Sequence, residues 1–298
     1  MKRLFPIIKR ELIENLSLKK TLIYIALTVL TTILILKFTF LSQAYTNLID
    51  FRASLFGGLF LIYFILVCGI FLSSFLGILS ISSISKEFSE GTILLLVTRP
   101  IKRKHIIIAK IAALTIYGFI ISTFSILLIT SILGLLGVVD SGTFWGIFKV
   151  GLVFIFYSLI LSFLTVSFCT ALALVVNRPI ACTAILFILI ILTFFLPILV
   201  SFIFTAQPKM PQNILLGSLA SNIAEGIGIK IFPLAKIIFG RMTALFKEIN
   251  IGDIMPIHVN EAMATINMPA ILSLVLILII TAAFIALAII WFNRKEIY

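Results

Sequence analysis

Six long apolar segments dominate this sequence of 298 residues. Each is at least as long as the roughly 20 predominantly apolar residues that a helix needs to cross the hydrocarbon core of a bilayer. Backbone polar groups must be satisfied internally in lipid, and the runs lack the short alternating pattern of a membrane barrel. We therefore predict an all-α integral membrane protein, one transmembrane domain over residues 1–298 with six transmembrane helices. The segments cover residues 21–42, 53–84, 105–137, 146–176, 180–204 and 270–292.

The distribution of basic residues sets the orientation. The net charge of +12 would suit a nucleic-acid binder, but the basic residues lie at the ends of apolar runs and form no basic domain, so we expect no nucleic-acid partner. With both termini inside, 15 of the 23 basic residues are cytoplasmic, whereas the short outer connections hold only Lys37, Arg52 and Lys149. The sequence predicts a multi-pass protein of the cell membrane with cytoplasmic termini.

Residues 1–20 form an amphipathic pattern. Leu4, Phe5, Ile8, Leu12 and Leu16 share one side of a helical wheel, and Lys2, Lys9, Arg10, Glu14 and Ser17 lie across from them. This pattern favours a helix lying in the membrane interface. The alternative is a positively charged lead-in that only orients the first span.

The segment 205–269 interrupts the succession of spans on the outer side. It contains five prolines, and its charges at Glu225, Lys230 and Lys236 argue against a seventh span. We predict interfacial or partly re-entrant helices that cap the outer side and offer a candidate surface for an external partner. A small disordered loop is the alternative.

The connection between the second and third spans, residues 84–104, is the most charged stretch of the chain. Gly91 supplies a break, Thr92 can cap a short apolar helix through Leu96, and Pro100 can begin the next helix. A short apolar helix ringed by charges lies against the membrane or docks into a groove on another protein.

The residue pattern of this connection, which reads Lys86-Glu87-x-x-Glu90-Gly91-Thr92-x-x-Leu95-Leu96-x-x-Arg99-Pro100-x-x-Arg103-x6-Lys110, resembles the signature of the ABC-2 type permeases. The resemblance covers nearly the whole chain, including the amphipathic "elbow" helix at the amino terminus, six spans and external helices between the last two. In that family the segment between spans two and three is the coupling helix that contacts the ATP-binding subunit. The resemblance implies that the contact is formed or braced by Glu87, Glu90, Gly91, Thr92, Leu95, Arg99, Pro100, Arg103 and Lys110.

Each of these residues also has a simpler interpretation. Gly91 and Pro100 can serve only to shape turns, Arg103 and Lys104 can hold anionic lipid head groups, and Lys110 can extend its amine to the membrane surface. For the segment as a unit, the resemblance favours coupling. It further implies two ATP-binding subunits and a second permease, identical or paralogous, as partners.

The chain lacks the motifs of an enzyme. No GxxxxGK[ST] phosphate-binding loop occurs in the sequence, so we expect ATP and Mg to be bound and hydrolysed by the partner subunit, with no cofactor on this chain. The three cysteines lie singly in apolar stretches, and His105 and His258 have no second ligand at helical spacing, so no metal site is predicted.

Small hydroxyl residues and glycines are the candidates for a translocation route through the spans. Such residues more often mediate close packing between membrane helices. A route lined in this way would suit a hydrophobic or amphipathic cargo. The candidates are Ser73, Ser74, Gly77, Ser80 and Ser83 in the second span, and Ser122, Ser125 and Ser131 in the third.

Together these features predict the permease subunit of an ABC exporter. Two other functions stay open: a subunit that transmits mechanical work or assists membrane assembly through an external partner at 205–269, and an ATP-independent channel or carrier. The near absence of ionisable residues from the middle of the spans disfavours the last, because ion-driven carriers usually need buried charge there.

Overall fold

The computed structural model describes residues 5–15, 18–37, 59, 62–89, 103–135, 141–176, 178–191 and 270–294. These residues form helices and include no strand, which confirms the all-α prediction. In chain order the helices are α1 (Phe5–Asn15), α2 (Leu18–Leu36), a π-helix π1 (Ile62–Phe71) that continues as α3 (Leu72–Ser89), α4 (Arg103–Leu135), α5 (Ser141–Val176), α6 (Pro179–Ile190) and α7 (Ala270–Arg294).

Five of these helices are long and apolar enough to cross a bilayer. They correspond to the predicted spans one to four and six, and cover Lys19–Leu36, Leu66–Ser85, Lys104–Gly134, Phe144–Val176 and Ile277–Arg294. The predicted span 180–204 begins as the shorter apolar helix α6, and residues 192–204 lie outside the described part of the chain. The count of six spans therefore stays a prediction, as does the structure expected for residues 205–269, which also lie outside the described residues.

The chain divides into two compact units. The first comprises residues 1–186 and 278–298, and the second comprises residues 187–277, of which the structure describes 187–191 and 270–277. The first unit contains the amphipathic helix, the ends of the predicted coupling segment and the candidate route residues. The packing of the first unit therefore determines how these predicted functional elements are placed. The single domain expected from the sequence stays a prediction.

Helix α5 packs against both α3 and α4, and these three helices form the centre of the first unit. Small residues allow the close approach. Gly118 of α4 faces the side chain of Leu76, and a Cβ added to Gly118 would lie 2.9 Å from Ser162 Oγ on α5. Close contacts at small residues are the usual way in which helices associate in membranes, where lipid removes the hydrophobic drive for association.

The π-helix π1 is fastened to three neighbouring helices by polar side chains. Tyr63 of π1 bonds to Thr130 of α4, with 3.0 Å between the hydroxyl oxygens. The Tyr24 hydroxyl of α2 donates to the carbonyl oxygen of Val67 at 3.3 Å, and the Cys68 thiol donates to the carbonyl oxygen of Phe154 on α5 at 3.9 Å. These bonds supplement a backbone whose i→i+5 geometry is rare.

Aromatic contacts tie α2 to the centre of the unit. The ring centroid of Phe75 lies 4.9 Å from that of Tyr24 on α2 and 6.1 Å from that of Tyr117 on α4. The Tyr117 hydroxyl also lies 2.8 Å from the Thr21 hydroxyl of α2. The amino-terminal part of the first span is thus fixed to both α3 and α4, although much of the remaining surface of the span is exposed.

Candidate functional site

The predicted coupling segment 84–104 is bounded in the structure by the end of α3 and the beginning of α4. Helix α3 runs through Ser89, so the backbone at Glu87 is helical, and Arg103 is the first residue of α4. Of the predicted ATPase-contacting residues, six lie outside the described residues, and the coupling helix itself stays a prediction. These six are Glu90, Gly91, Thr92, Leu95, Arg99 and Pro100.

Lys110, two turns into α4, lies in a buried polar contact between three helices. Its side chain is only 5% exposed, and its ammonium nitrogen lies 3.1 Å from Glu11 Oε1 of α1. The same ammonium donates a hydrogen bond to Ser83 Oγ of α3 at 2.9 Å. The amine is therefore bound within the protein and does not extend to the membrane surface.

Glu11 is the functional candidate that the sequence analysis missed. It lies three residues after Ile8 and directly before Leu12, which places it on the apolar side of the amphipathic helix. Its side chain is 7% exposed, and α1 packs against α4. An acid on the apolar stripe of one helix and a lysine on the buried face of another are the signal that would have predicted the pair.

The energetics of this pair depend on its burial. Removing both charges from water is costly, and the attraction between them offsets this cost only because the geometry is close and Ser83 supplies a further hydrogen bond. Loss of either partner would break a buried ion pair, a change that typically destabilises a protein by about 3–5 kcal/mol. Glu11, Lys110 and Ser83 do not form a nucleophile activated by a base. Their contacts fix α1, α3 and α4 relative to one another.

Besides Ser83, which bonds to Lys110, two of the candidate route residues make contacts between helices. Ser122 donates a hydrogen bond to Ser158 of α5 at 2.7 Å. Gly77 packs against Leu186, and a Cβ added to it would lie 3.1 Å from the sulfur of Cys169. These contacts give both residues a packing role within the subunit.

Other candidate route residues are buried without such a contact. Ser73 is 5% exposed, and Ser80 and Ser125 are fully buried. Within the described part of the chain, the hydroxyls of Ser74, Ser80 and Ser125 have no hydrogen-bond partner. A buried hydroxyl left unpaired costs about 1–3 kcal/mol, so these three positions hold unused polar groups inside the helix bundle. The predicted route stays a prediction.

No three histidine, cysteine or acidic side chains among the described helices are grouped as metal ligands would be. Residues 5–297 match the model of a protein family described as ABC-2 family transporter protein. No curated protein sequence matches the chain. Because the family match spans nearly the whole sequence and five apolar helices are long enough to cross a bilayer, the chain belongs to the ABC-2 family of transporters and is a multi-pass membrane protein.

Proposed function

We propose that this chain is the membrane-spanning permease subunit of an ABC exporter, which moves a hydrophobic or amphipathic substrate with ATP hydrolysed by a separate subunit. The family match over residues 5–297 carries the proposal. Permeases of this family generally work with an ABC ATP-binding subunit and often dimerise. The absence of a phosphate-binding loop from the sequence supports the same division of labour.

The proposed assembly contains two permease subunits, identical or paralogous, and two ATP-binding subunits that hold ATP and Mg. It resides in the cell membrane with the termini of the permease in the cytoplasm. The excess of basic residues at the ends and in the connection 84–104 supports this orientation. The connection then faces the compartment in which ATP is present.

Energy would enter through residues 84–104. Movement of the ATP-binding subunits displaces this connection, and the displacement passes into α3 and α4, the two helices to which it is joined. Both helices pack against α5, so a shift of either changes the packing at the centre of the subunit. Closely packed interfaces tend to switch between discrete arrangements rather than deform continuously, which suits alternating access.

The cargo route would involve the buried hydroxyls of α3 and α4. Ser80 and Ser125 are fully buried and have no hydrogen-bond partner within the described residues. Rearrangement of the helices during turnover would allow these hydroxyls to meet water or the polar part of an amphipathic cargo. The hydrogen bonds that they lack here would then form in another state of the cycle.

Co-purification tests the proposal at the level of assembly. The permease carrying an affinity tag is isolated from its native host in mild detergent, and ATP hydrolysis in the eluate is measured. We expect an ABC ATP-binding subunit to co-purify with the permease. A native complex without a nucleotide-binding subunit would refute the proposed function.

Two substitutions in the connection test the route of energy transfer. Arg99→Ala and Glu90→Gln should weaken retention of the ATP-binding subunit or lower the ATP hydrolysis of the complex. Arg178→Ala, at an exposed position before α6, and Glu296→Gln near the carboxyl terminus are the matched controls and should change neither quantity. Full retention and full activity in both Arg99→Ala and Glu90→Gln would remove the coupling role from this segment.

A further inference from the structure

The buried contact of Glu11, Lys110 and Ser83 joins α1 to both helices that flank the predicted coupling segment. Ser83 lies in the last two turns of α3, and Lys110 lies in the first two turns of α4. One ammonium group thus bonds to α3 and to α1 at 2.9 Å and 3.1 Å. From these observations we infer that the three residues form a clamp, which makes α1 a third element that moves with the coupling segment and positions it.

The clamp uses the donor capacity of a lysine at the meeting point of three helices. A lysine ammonium has three hydrogen-bond donors, of which one is directed to the Glu11 carboxylate and another to the Ser83 hydroxyl. An apolar contact in this place would tolerate sliding of one helix along another. Two directed bonds to a buried charge do not tolerate such sliding, because any movement of one helix along the other separates the charges in a medium of low dielectric constant.

The chain connection extends the effect of the clamp to the first span. Only two residues separate the end of α1 at Asn15 from the start of α2 at Leu18. Helix α2 is itself bonded to α4 through Thr21 and Tyr117. A displacement of the coupling segment that moves the start of α4 would therefore reach α1 directly through Lys110. It would reach α2 both through the chain connection from α1 and through the bond between Tyr117 and Thr21.

Glu11 and Lys110 are accordingly positioning residues. Each is more than nine-tenths buried, so neither is placed to touch an ATP-binding subunit from this arrangement. The inference rests on the proposed function in one respect, since the coupling segment has work to transmit only when an ATP-binding subunit acts on it. The link between α1 and the two flanking helices can be tested without that subunit.

A distance measurement on the permease alone tests the clamp. Nitroxide labels are attached to cysteines introduced at Ile13 of α1 and Ile180 of α6, whose side chains are 63% and 83% exposed. The three native cysteines are buried, so labelling at the introduced positions is favoured. The distance distribution between the labels is measured by pulsed electron paramagnetic resonance in lipid nanodiscs.

We expect Lys110→Met and Glu11→Gln to broaden this distribution, because each removes the buried ion pair that joins α1 to α4. The charge-swapped variant Glu11→Lys/Lys110→Glu should restore a narrow distribution, since the Ser83 hydroxyl can donate to a carboxylate as well as accept from an ammonium. Lys104→Met, at an exposed position six residues earlier in α4, is the matched control and should leave the distribution unchanged. An unchanged distribution in both single variants would overturn the clamp.

The second measurement asks whether the clamp serves coupling. The ATP hydrolysis of each variant complex with its ATP-binding subunit is compared with that of the unmodified complex. We expect each single variant to retain the ATP-binding subunit but to lose most of the ATP hydrolysis that the permease stimulates in it. The charge-swapped variant should recover this ATP hydrolysis. A purely structural role would lower the yield of complex and leave hydrolysis per complex unaltered.

The outcomes separate this inference from the proposed function. A broadened distribution with normal hydrolysis in an intact complex would overturn the role of the clamp in coupling. If the unmodified permease binds no ATP-binding subunit, the proposed function fails, and the coupling role of the clamp fails with it. In that case a broadened distribution in the single variants and a narrow one in the swap would still establish the link between α1 and α4.

Discussion

The hydrogen bond between Tyr63 and Thr130 predicts unequal costs for two conservative substitutions. The Thr130 hydroxyl donates its single proton to the carbonyl oxygen of Ile126 at 2.8 Å. It therefore accepts the bond from the Tyr63 hydroxyl, 3.0 Å away, and Tyr63 is the donor. Since Tyr63 is fully buried, its hydroxyl proton depends on this acceptor.

The assignment of the donor sets the expected magnitudes. Tyr63→Phe removes the donor and leaves Thr130 bonded to Ile126, so the cost is that of one hydrogen bond, about 0.5–1.5 kcal/mol. Thr130→Val removes the acceptor and leaves a buried phenol proton unpaired, which costs about 1–3 kcal/mol. In the double variant no unpaired group remains, and the cost should lie close to that of Tyr63→Phe alone.

The free energy of unfolding of the four proteins is measured by titrating the permease in mild detergent with a denaturing detergent. We expect a coupling energy of about 0.6 kcal/mol or more, the average found for hydrogen bonds between membrane helices. Thr31→Val is the matched control, because among the described residues the Thr31 hydroxyl bonds to backbone carbonyls of its own helix. If Tyr63→Phe costs more than Thr130→Val, the assignment of the donor is wrong. If the two costs add in the double variant, the bond between Tyr63 and Thr130 does not stabilise the protein.

Two further predictions concern the central helices. Gly118→Leu should lower the free energy of unfolding by about 1–3 kcal/mol, because the new side chain must displace the fully buried Leu76. The control Gly142→Leu should change the free energy of unfolding little in the same titration, because a Cβ added at Gly142 meets nothing within 4 Å. Cysteines introduced at Ser80 and Ser125, with the native cysteines replaced, should resist a small methanethiosulfonate reagent in the resting complex and react during ATP hydrolysis. Protection in both conditions would assign the two positions to helix packing and contradict the proposed route.

The positions of the spans follow from the sequence because the length of an apolar run is set by the thickness of the bilayer. The run predicted at 105–137 corresponds to α4, Arg103–Leu135, and the run predicted at 146–176 to α5, Ser141–Val176. The run predicted at 53–84 contains π1 and most of α3, and α3 continues beyond the end of the apolar run to Ser89. Polar residues such as Lys86 and Glu87 end an apolar run without ending the helix.

Features that depend on contacts between helices could not be predicted from one sequence. The π-helical backbone over Ile62–Phe71 has the same apolar composition as an α-helix, and composition does not distinguish the two. The bonds that fasten it, from Tyr63 to Thr130 and from Tyr24 to Val67, join residues 67 and 43 positions apart. The family resemblance indicates Lys110, but its partner Glu11 belongs to a helix whose packing only the structure shows.

The buried pair of Glu11 and Lys110 is better explained by register than by stability. Desolvation offsets most of the attraction between two buried charges, and apolar replacements of similar volume are often neutral or stabilising. An apolar stripe on α1 could pack on the apolar face of α4 in more than one register, displaced by a helical turn of about 5.4 Å. Only one register pairs the two charges, which are both less than one-tenth exposed.

This explanation makes a prediction that separates register from stability. The double variant Glu11→Leu/Lys110→Met should unfold at a concentration of denaturing detergent that is the same as or higher than that for the unmodified permease. It should nevertheless give a broad distance distribution between labels at positions 13 and 180. The charge-swapped variant, with the same number of changes, should keep the narrow distribution. A narrow distribution in the apolar variant would show that side-chain packing alone fixes α1, and the charges would then be unnecessary for its placement beside the coupling segment.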